Sequence, residues 1–241
     1  MQQQDKAIAV MQPYIFPYIG YFQLIQAVDV FVFYDDVNFI KQGWINRNKI
    51  LVKNEALLFT VPLKKISSFK KINEVTINPS LYPKWKKKFL KSIEQNYSKA
   101  PNYELTYNII NNTLEGGEKK SISELAILSI KSISDYLNLG AKFELSSVNH
   151  TCSEKLDRTD LLISICKKTG IKNYINALGG QELYSKKDFL KYEINLLFLN
   201  PQIKPYSQYA NDFVPGISMI DVLMFNSKKE CLQLINDYEL L

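Results

Sequence analysis

The stretch from Met11 to Asn48 crowds Gln12, Asp35, Asp36, Lys41, Asn46, Arg47 and Asn48 among Tyr14, Phe16, Tyr18, Tyr21, Phe39 and Trp44. Aromatic walls with a few convergent polar groups are what a small-ligand cleft requires. Arginine grips phosphate through paired hydrogen bonds, and lysine acts as a point charge. A carboxylate there can take a proton from an attacking group. The plainer alternative is an aromatic first strand followed by a solvated loop. On strand alternation Asp35 and Asp36 face opposite ways, so at most one of them is expected against a ligand.

Other candidates lie further along. His150 is the single histidine and suits a general base; an exposed loop histidine is the plainer reading. Cys152 stands two residues on, and would serve as a nucleophile only within hydrogen-bond reach of it. Arg158 and Asp160 open a helical pattern. Asp160 complements the positive helix end and Arg158 does not, which points to an anionic partner for Arg158. Gly179 and Gly180 follow a short strand and permit close backbone approach to a ligand, although paired glycines are also common in turns. The loop P-Q-I-K-P-Y-S-Q-Y-A-N-D-F-V-P-G, with Gln208, has a length often found in functional loops. Ser218 and Asp221 open the last apolar helix as a capping pair or as ligand contacts.

These residues need elements to hold them. Apolar runs predict strands over Ala7–Met11, Val30–Tyr34, Ala56–Val61, Phe143–Val148, Tyr174–Ala177 and Ile194–Leu199, and a short one over Ile72–Ile77. Helical spacing predicts Gly20 to Val28, Leu81 to Tyr97, Tyr103 to Leu114, a helix capped by Ser121 and Glu124 and closed by Gly140, and Asp157 to Thr169. The alternation implies a mainly parallel, Rossmann-like α/β sheet in a single domain over 1–241, with a helical insertion at about 81–139. Polar groups just past the first two strands stand where open parallel sheets bind ligands.

At 241 residues, 46% hydrophobic and 22% charged, the composition is that of a globular chain. It has no apolar run of membrane-spanning length and no signal-like start, so a cytoplasmic protein is expected. Three cysteines without metal-ligand spacing and one histidine argue against a disulfide framework and against a zinc site. The net charge of +6 owes much to K-W-K-K-K-F-L-K, either an anion-attracting face or a solvated helix.

The blocks Q-P-Y-I-F-P-Y-I-G-Y-F-Q-L-I and Y-D-D-V-N-F-I-K-Q-G-W-I-N-R-N resemble the WbqC-like proteins, found in bacterial O-antigen and capsule gene clusters. The resemblance runs on through V-P-L-K, D-R-T-D-L-L and G-G-Q-E-L-Y to I-S-M-I-D-V-L-M-F-N. It implies acyl or aminoacyl transfer, glycyl included, to the amine of a nucleotide-linked amino sugar in surface polysaccharide biosynthesis. In that reading Lys41, Arg47 and Arg158 hold phosphate, and Tyr14, Tyr18 and Trp44 stack on a ring. Gln12, Asn46 and Asn48 orient hydroxyls or the carbonyl, and Asp36 or His150 takes the ammonium proton. The donor is an activated amino acid, an acyl thioester or a charged tRNA. More faintly, the first half resembles nucleotidyltransferases and class I synthetases, with Y-I-G-Y at the place of their H-x-G-H motif. That alternative uses a nucleoside triphosphate and Mg²⁺, with Asp35, Asp36 and Asp221 as oxygen ligands. A third reading is a non-catalytic nucleotide-sugar binder.

Overall fold

The computed structural model describes residues 6–151 and 156–241. In chain order it has β1 (Ala7–Met11), α1 (Ile19–Gln26), β2 (Val30–Phe33), β3 (Arg47–Val52), β4 (Glu55–Thr60), α2 (Tyr82–Tyr97), α3 (Tyr103–Leu114) and α4 (Ile122–Leu137). There follow β5 (Lys142–Leu145), α5 (Ser146–Asn149), α6 (Arg158–Thr169), β6 (Asn173–Ala177), α7 (Lys186–Leu190), β7 (Asn195–Pro201), α8 (Met219–Phe225), α9 (Lys228–Ile235) and β8 (Tyr238–Leu240).

Six strands form one sheet in the order β5-β2-β1-β6-β7-β8, parallel except for β8. Counted within the sheet alone, the strands run third, second, first, fourth, fifth, sixth. That is the order of a doubly wound, Rossmann-like α/β fold, with its switch point between β1 and β6. The sheet is buried on both faces, which is why its central strands β1 and β2 read as unbroken apolar runs. Ala9, Phe31 and Phe33 pack toward α1 and α4, and Ile8, Val10 and Val32 toward α6 and α7. Register levels the carboxyl ends: Met11 lies beside Phe33, and Phe33 beside Leu145. Gln12, Tyr34 and Ser146 therefore emerge along one edge.

Several expected boundaries moved. The strand near Ala56–Val61 does not join the parallel sheet; β4 pairs antiparallel with β3 in a separate hairpin. An apolar run shows that a strand is half covered, but not which strand covers it. Ile72–Glu74 is a single 3₁₀ turn instead of a strand, flanked by isolated bridges at Thr76 and Ile77. The strand expected to reach Val148 stops at Leu145, because Asp35 caps the short α5 that follows. The Ser121–Glu124 capping box forms as expected. The helix it opens runs to Leu137, as expected, but is closed by Asn138 in left-handed conformation (φ 58°) and not by Gly140. Asn tolerates that conformation better than most non-glycine residues.

Candidate functional site

A cleft of about 660 Å³ opens at the carboxyl ends of β1 and β6, where the chain order reverses and doubly wound sheets place ligands. Its walls include Gln12, Lys41, Arg158, Gly179 and Gly180, five of the residues singled out in the sequence. Met11, Phe39 and Leu162 supply apolar wall, and Tyr34, Tyr174, Asn176 and Tyr184 line it as well. The last four were not anticipated. Tyr34, Tyr174 and Asn176 read as strand core, and Tyr184 as part of the turn after the glycines. Only the strand order brings β6 beside β1.

Arg158 is the first residue of α6 and is exposed. Among the described residues no hydrogen bond or ion pair holds it. Its guanidinium works against the helix dipole, so its presence at a ligand-sized opening fits an anion that binds both it and the helix end. Burial pushes the Tyr34 phenol up to about 12, with Asp36 and Tyr184 adding to the rise and Arg158 opposing it. The Tyr184 phenol is raised by burial and lowered by Arg158. Both phenols stay protonated at neutral pH and can donate hydrogen bonds.

The two aspartates do not face apart. Both lie beyond the last residue of β2, where alternation no longer applies, and both converge on Ser146. Its Oγ is 3.0 Å from Asp35 Oδ1 and 2.5 Å from Asp36 Oδ1, with one proton to serve the two. Asp35 also accepts from the Ser147 N–H at 3.1 Å and the Ser147 hydroxyl at 2.7 Å. It is therefore committed to capping α5. Asp36 keeps Oδ2 without a partner among the described residues. It does not itself line the cleft, but its chain neighbours Tyr34 and Val37 do.

His150 is neither an exposed loop residue nor part of the cleft wall. It is 7% exposed, and its Nε2 lies 2.8 Å from Glu144 Oε2. Burial raises the Glu144 carboxyl, but hydrogen bonds from Lys142 and His150 outweigh this and hold it below its ordinary value. A depressed carboxyl contributes stability that is full above the ordinary value of 4.5 and lost as pH falls through the lowered one. The stability difference between the wild type and Glu144→Gln should accordingly shrink as pH falls below that ordinary value. Denaturant titrations across pH measure it; a difference unchanged on acidification would refute the pairing. Cys152 lies outside the described residues.

The remaining candidates hold the fold together. Phe16 is fully buried with φ 43°, a strained backbone for a bulky residue. Three distant side chains fix it. Its N–H donates to Ser129 Oγ at 2.9 Å, and its carbonyl accepts from Asn48 Nδ2 at 2.5 Å and Ser218 Oγ at 2.7 Å. Asn48 Oδ1 accepts from the Lys49 N–H, and Ser218 Oγ also accepts from the Ile220 N–H. Asn46 Nδ2 donates to the Val61 carbonyl at 2.9 Å. Asn46, Asn48 and Ser218 are main-chain anchors and not the expected ligand contacts: all three are buried off the cleft with side chains bonded to backbone. Asn48→Ala should cost about 1–3 kcal/mol, the range for a buried group left unsatisfied. Urea denaturation would detect this, and an unchanged midpoint would contradict it.

Tyr14 is likewise off the cleft. Its hydroxyl accepts the Tyr18 N–H at 3.4 Å, and its ring meets Tyr21 edge-on. The Tyr18 ring lies across Gly20, where a Cβ would stand 2.5 Å from the phenol. The glycine of Y-I-G-Y thus serves packing. Arg47 Nε donates to the Gly43 carbonyl at 2.8 Å, and half-exposed Trp44 lies under the Lys49 ammonium. Neither lines the cleft. Asp221 and Gln208 belong to a separate buried network. Asp221 accepts from Tyr97 Oη at 2.8 Å, Tyr206 Oη at 2.7 Å and Gln208 Nε2 at 2.8 Å. Its carboxylate does not reach back to Ser218, whose Oγ caps the helix through the Ile220 N–H instead, so the expected capping box does not form.

Among the described residues no helix is long and apolar enough to cross a membrane. The family model of the WbqC-like protein family matches residues 12–232. Rv1507c, an uncharacterized protein of Mycobacterium tuberculosis, is 26% identical over 223 residues, 92% of this chain and 94% of its own length. No solved structure matches the chain significantly.

Proposed function

This chain belongs to the WbqC-like protein family, and from that premise we propose that its cleft binds a nucleotide-linked amino sugar and transfers an acyl or aminoacyl group to the sugar amine. The observation that carries the reading is the cleft at the switch point, with unpaired Arg158 and exposed Lys41 on its walls beside three tyrosines. Arg158 and Lys41 would hold the diphosphate by charge, Arg158 bidentately. The tyrosine rings and Phe39 would enclose base or sugar, and Gln12 would bond a hydroxyl.

Only a neutral amine attacks. Asp36, with its free Oδ2, would accept the ammonium proton. The amine nitrogen then bonds the acyl carbon, the bond from that carbon to the donor's leaving group breaks, and the leaving group departs with the second proton that the nitrogen gives up. The donor is an activated amino acid, an acyl thioester or a charged tRNA.

A thermal-shift screen of nucleotide sugars, ATP, CTP and acyl-CoA, with and without Mg²⁺, tests the reading. A ligand at one hundred times its dissociation constant stabilises a fold by about 2.7 kcal/mol. The expected result is stabilisation by an amino-sugar nucleotide, independent of Mg²⁺, followed by an acyl mass gain on its amine when the donor is supplied. Stabilisation only by a free triphosphate with Mg²⁺ would sink the reading in favour of nucleotidyl transfer.

A further inference from the structure

Tyr174 lines the cleft, is fully buried, and its hydroxyl has no hydrogen-bond partner among the described residues. A buried hydroxyl left unmatched costs free energy and is rare. Its ring is fixed, stacked on Phe189 at 5.5 Å and 7°, so the hydroxyl cannot swing away to find an acceptor. Two residues on along β6 stands Asn176. Residues i and i+2 of a strand share a face, so both side chains project to the same side of the sheet.

The Asn176 amide is oriented by the chain itself. Its Oδ1 accepts the Ala177 N–H at 2.8 Å, which leaves Nδ2 as a donor without a partner among the described residues. Gly180 makes room for it: a Cβ there would stand 2.9 Å from Asn176 Nδ2. Tyr174 and Asn176 thus both line the cleft, each with a donor that lacks an acceptor among the described residues, and Gly180 leaves room beside the Asn176 amide.

We infer that Tyr174 Oη and Asn176 Nδ2 form a two-donor subsite on the β6 wall that takes a carbonyl oxygen of the ligand. A carbonyl oxygen has two lone pairs and can accept from both. The inference rests on the cleft being a nucleotide-sugar site, and it adds what the site reads there. Such an oxygen comes either from a pyrimidine-dione base or from an N-acyl group on the sugar.

Calorimetric titration of ADP, UDP, UDP-glucose and UDP-N-acetylglucosamine into wild type, Tyr174→Phe and Asn176→Asp separates these. Tyr174→Phe keeps the ring and removes only the unmatched hydroxyl, so its melting temperature should hold or rise. Asn176→Asp keeps the oxygen that holds the Ala177 N–H and replaces the donor with an acceptor. The expected result is a preference of about tenfold for a carbonyl-bearing ligand, lost in both variants. A preference for UDP over ADP assigns the oxygen to the base. A preference for UDP-N-acetylglucosamine over UDP-glucose, with UDP and ADP equal, assigns it to the sugar. Nucleotides that bind without preference, or variants that bind as wild type does, would overturn the subsite alone. Failure of all four to bind would overturn it together with the nucleotide-sugar reading.

Discussion

Asp221→Ala is expected to destabilise the fold by about 3–4 kcal/mol, because each buried donor left without its acceptor costs about 1–3 kcal/mol. The carboxylate is fully buried and accepts from Tyr97, Tyr206 and Gln208. These donors come from α2 and from the loop before α8, and Tyr97 Oη also accepts the Leu51 N–H of β3 at 2.8 Å. One carboxylate therefore ties the hairpin, the helical section and the final loop together. The substitution should lower the melting temperature by roughly 6–16 °C for a chain of this size. An unchanged melting curve would show that the network contributes nothing net.

The same carboxyl gives the pH dependence a sign. Burial pushes Asp221 above its ordinary value, with the hydrogen bonds from Tyr206, Tyr97 and Gln208 opposing the rise. A carboxyl raised on folding contributes stability that is full below the ordinary carboxylate range and is lost as pH rises through the raised value. The stability advantage of wild type over Asp221→Asn should narrow as pH rises through that window. An advantage that widened instead would mean that the donors outweigh burial.

Arg158→Ala is expected to weaken binding of a nucleotide-linked amino sugar by one to two orders of magnitude, the effect of losing a charged hydrogen bond of about 1.5–3 kcal/mol. The apo protein should melt as wild type does, because the side chain is exposed and unpaired among the described residues. That combination separates ligand contact from scaffolding. Arg47→Ala is the internal control: Arg47 bonds the Gly43 carbonyl and stands off the cleft. Equal affinity of wild type and Arg158→Ala would remove Arg158 from the site.

Much of the architecture was legible along the chain. A strand buried on both faces is mostly apolar, so β1, β2, β6 and β7 announced themselves within a residue or two. Ser121 and Glu124 fixed the start of α4, because a capping box is a local hydrogen-bond exchange. Arg158 stood out for a similarly local reason, a cation placed at the wrong end of a helix.

The aromatic-polar opening block could not be divided in the same way. Gln12 and Asn48 look alike in sequence, yet one lines the cleft and the other is spent on the Phe16 carbonyl. Which polar atoms are left over depends on partners such as Ser129 and Ser218, more than a hundred positions away. Tyr174 and Asn176 pass as ordinary strand residues until β6 is known to lie against β1. The alternating α/β elements, their caps and a cation at odds with its helix could be read along the chain, because those follow from local periodicity and local electrostatics. The tertiary structure alone decided strand order, the separate β3–β4 hairpin and the membership of the cleft. Those depend on which distant groups satisfy one another's hydrogen bonds, and that pairing has no signature in residue spacing.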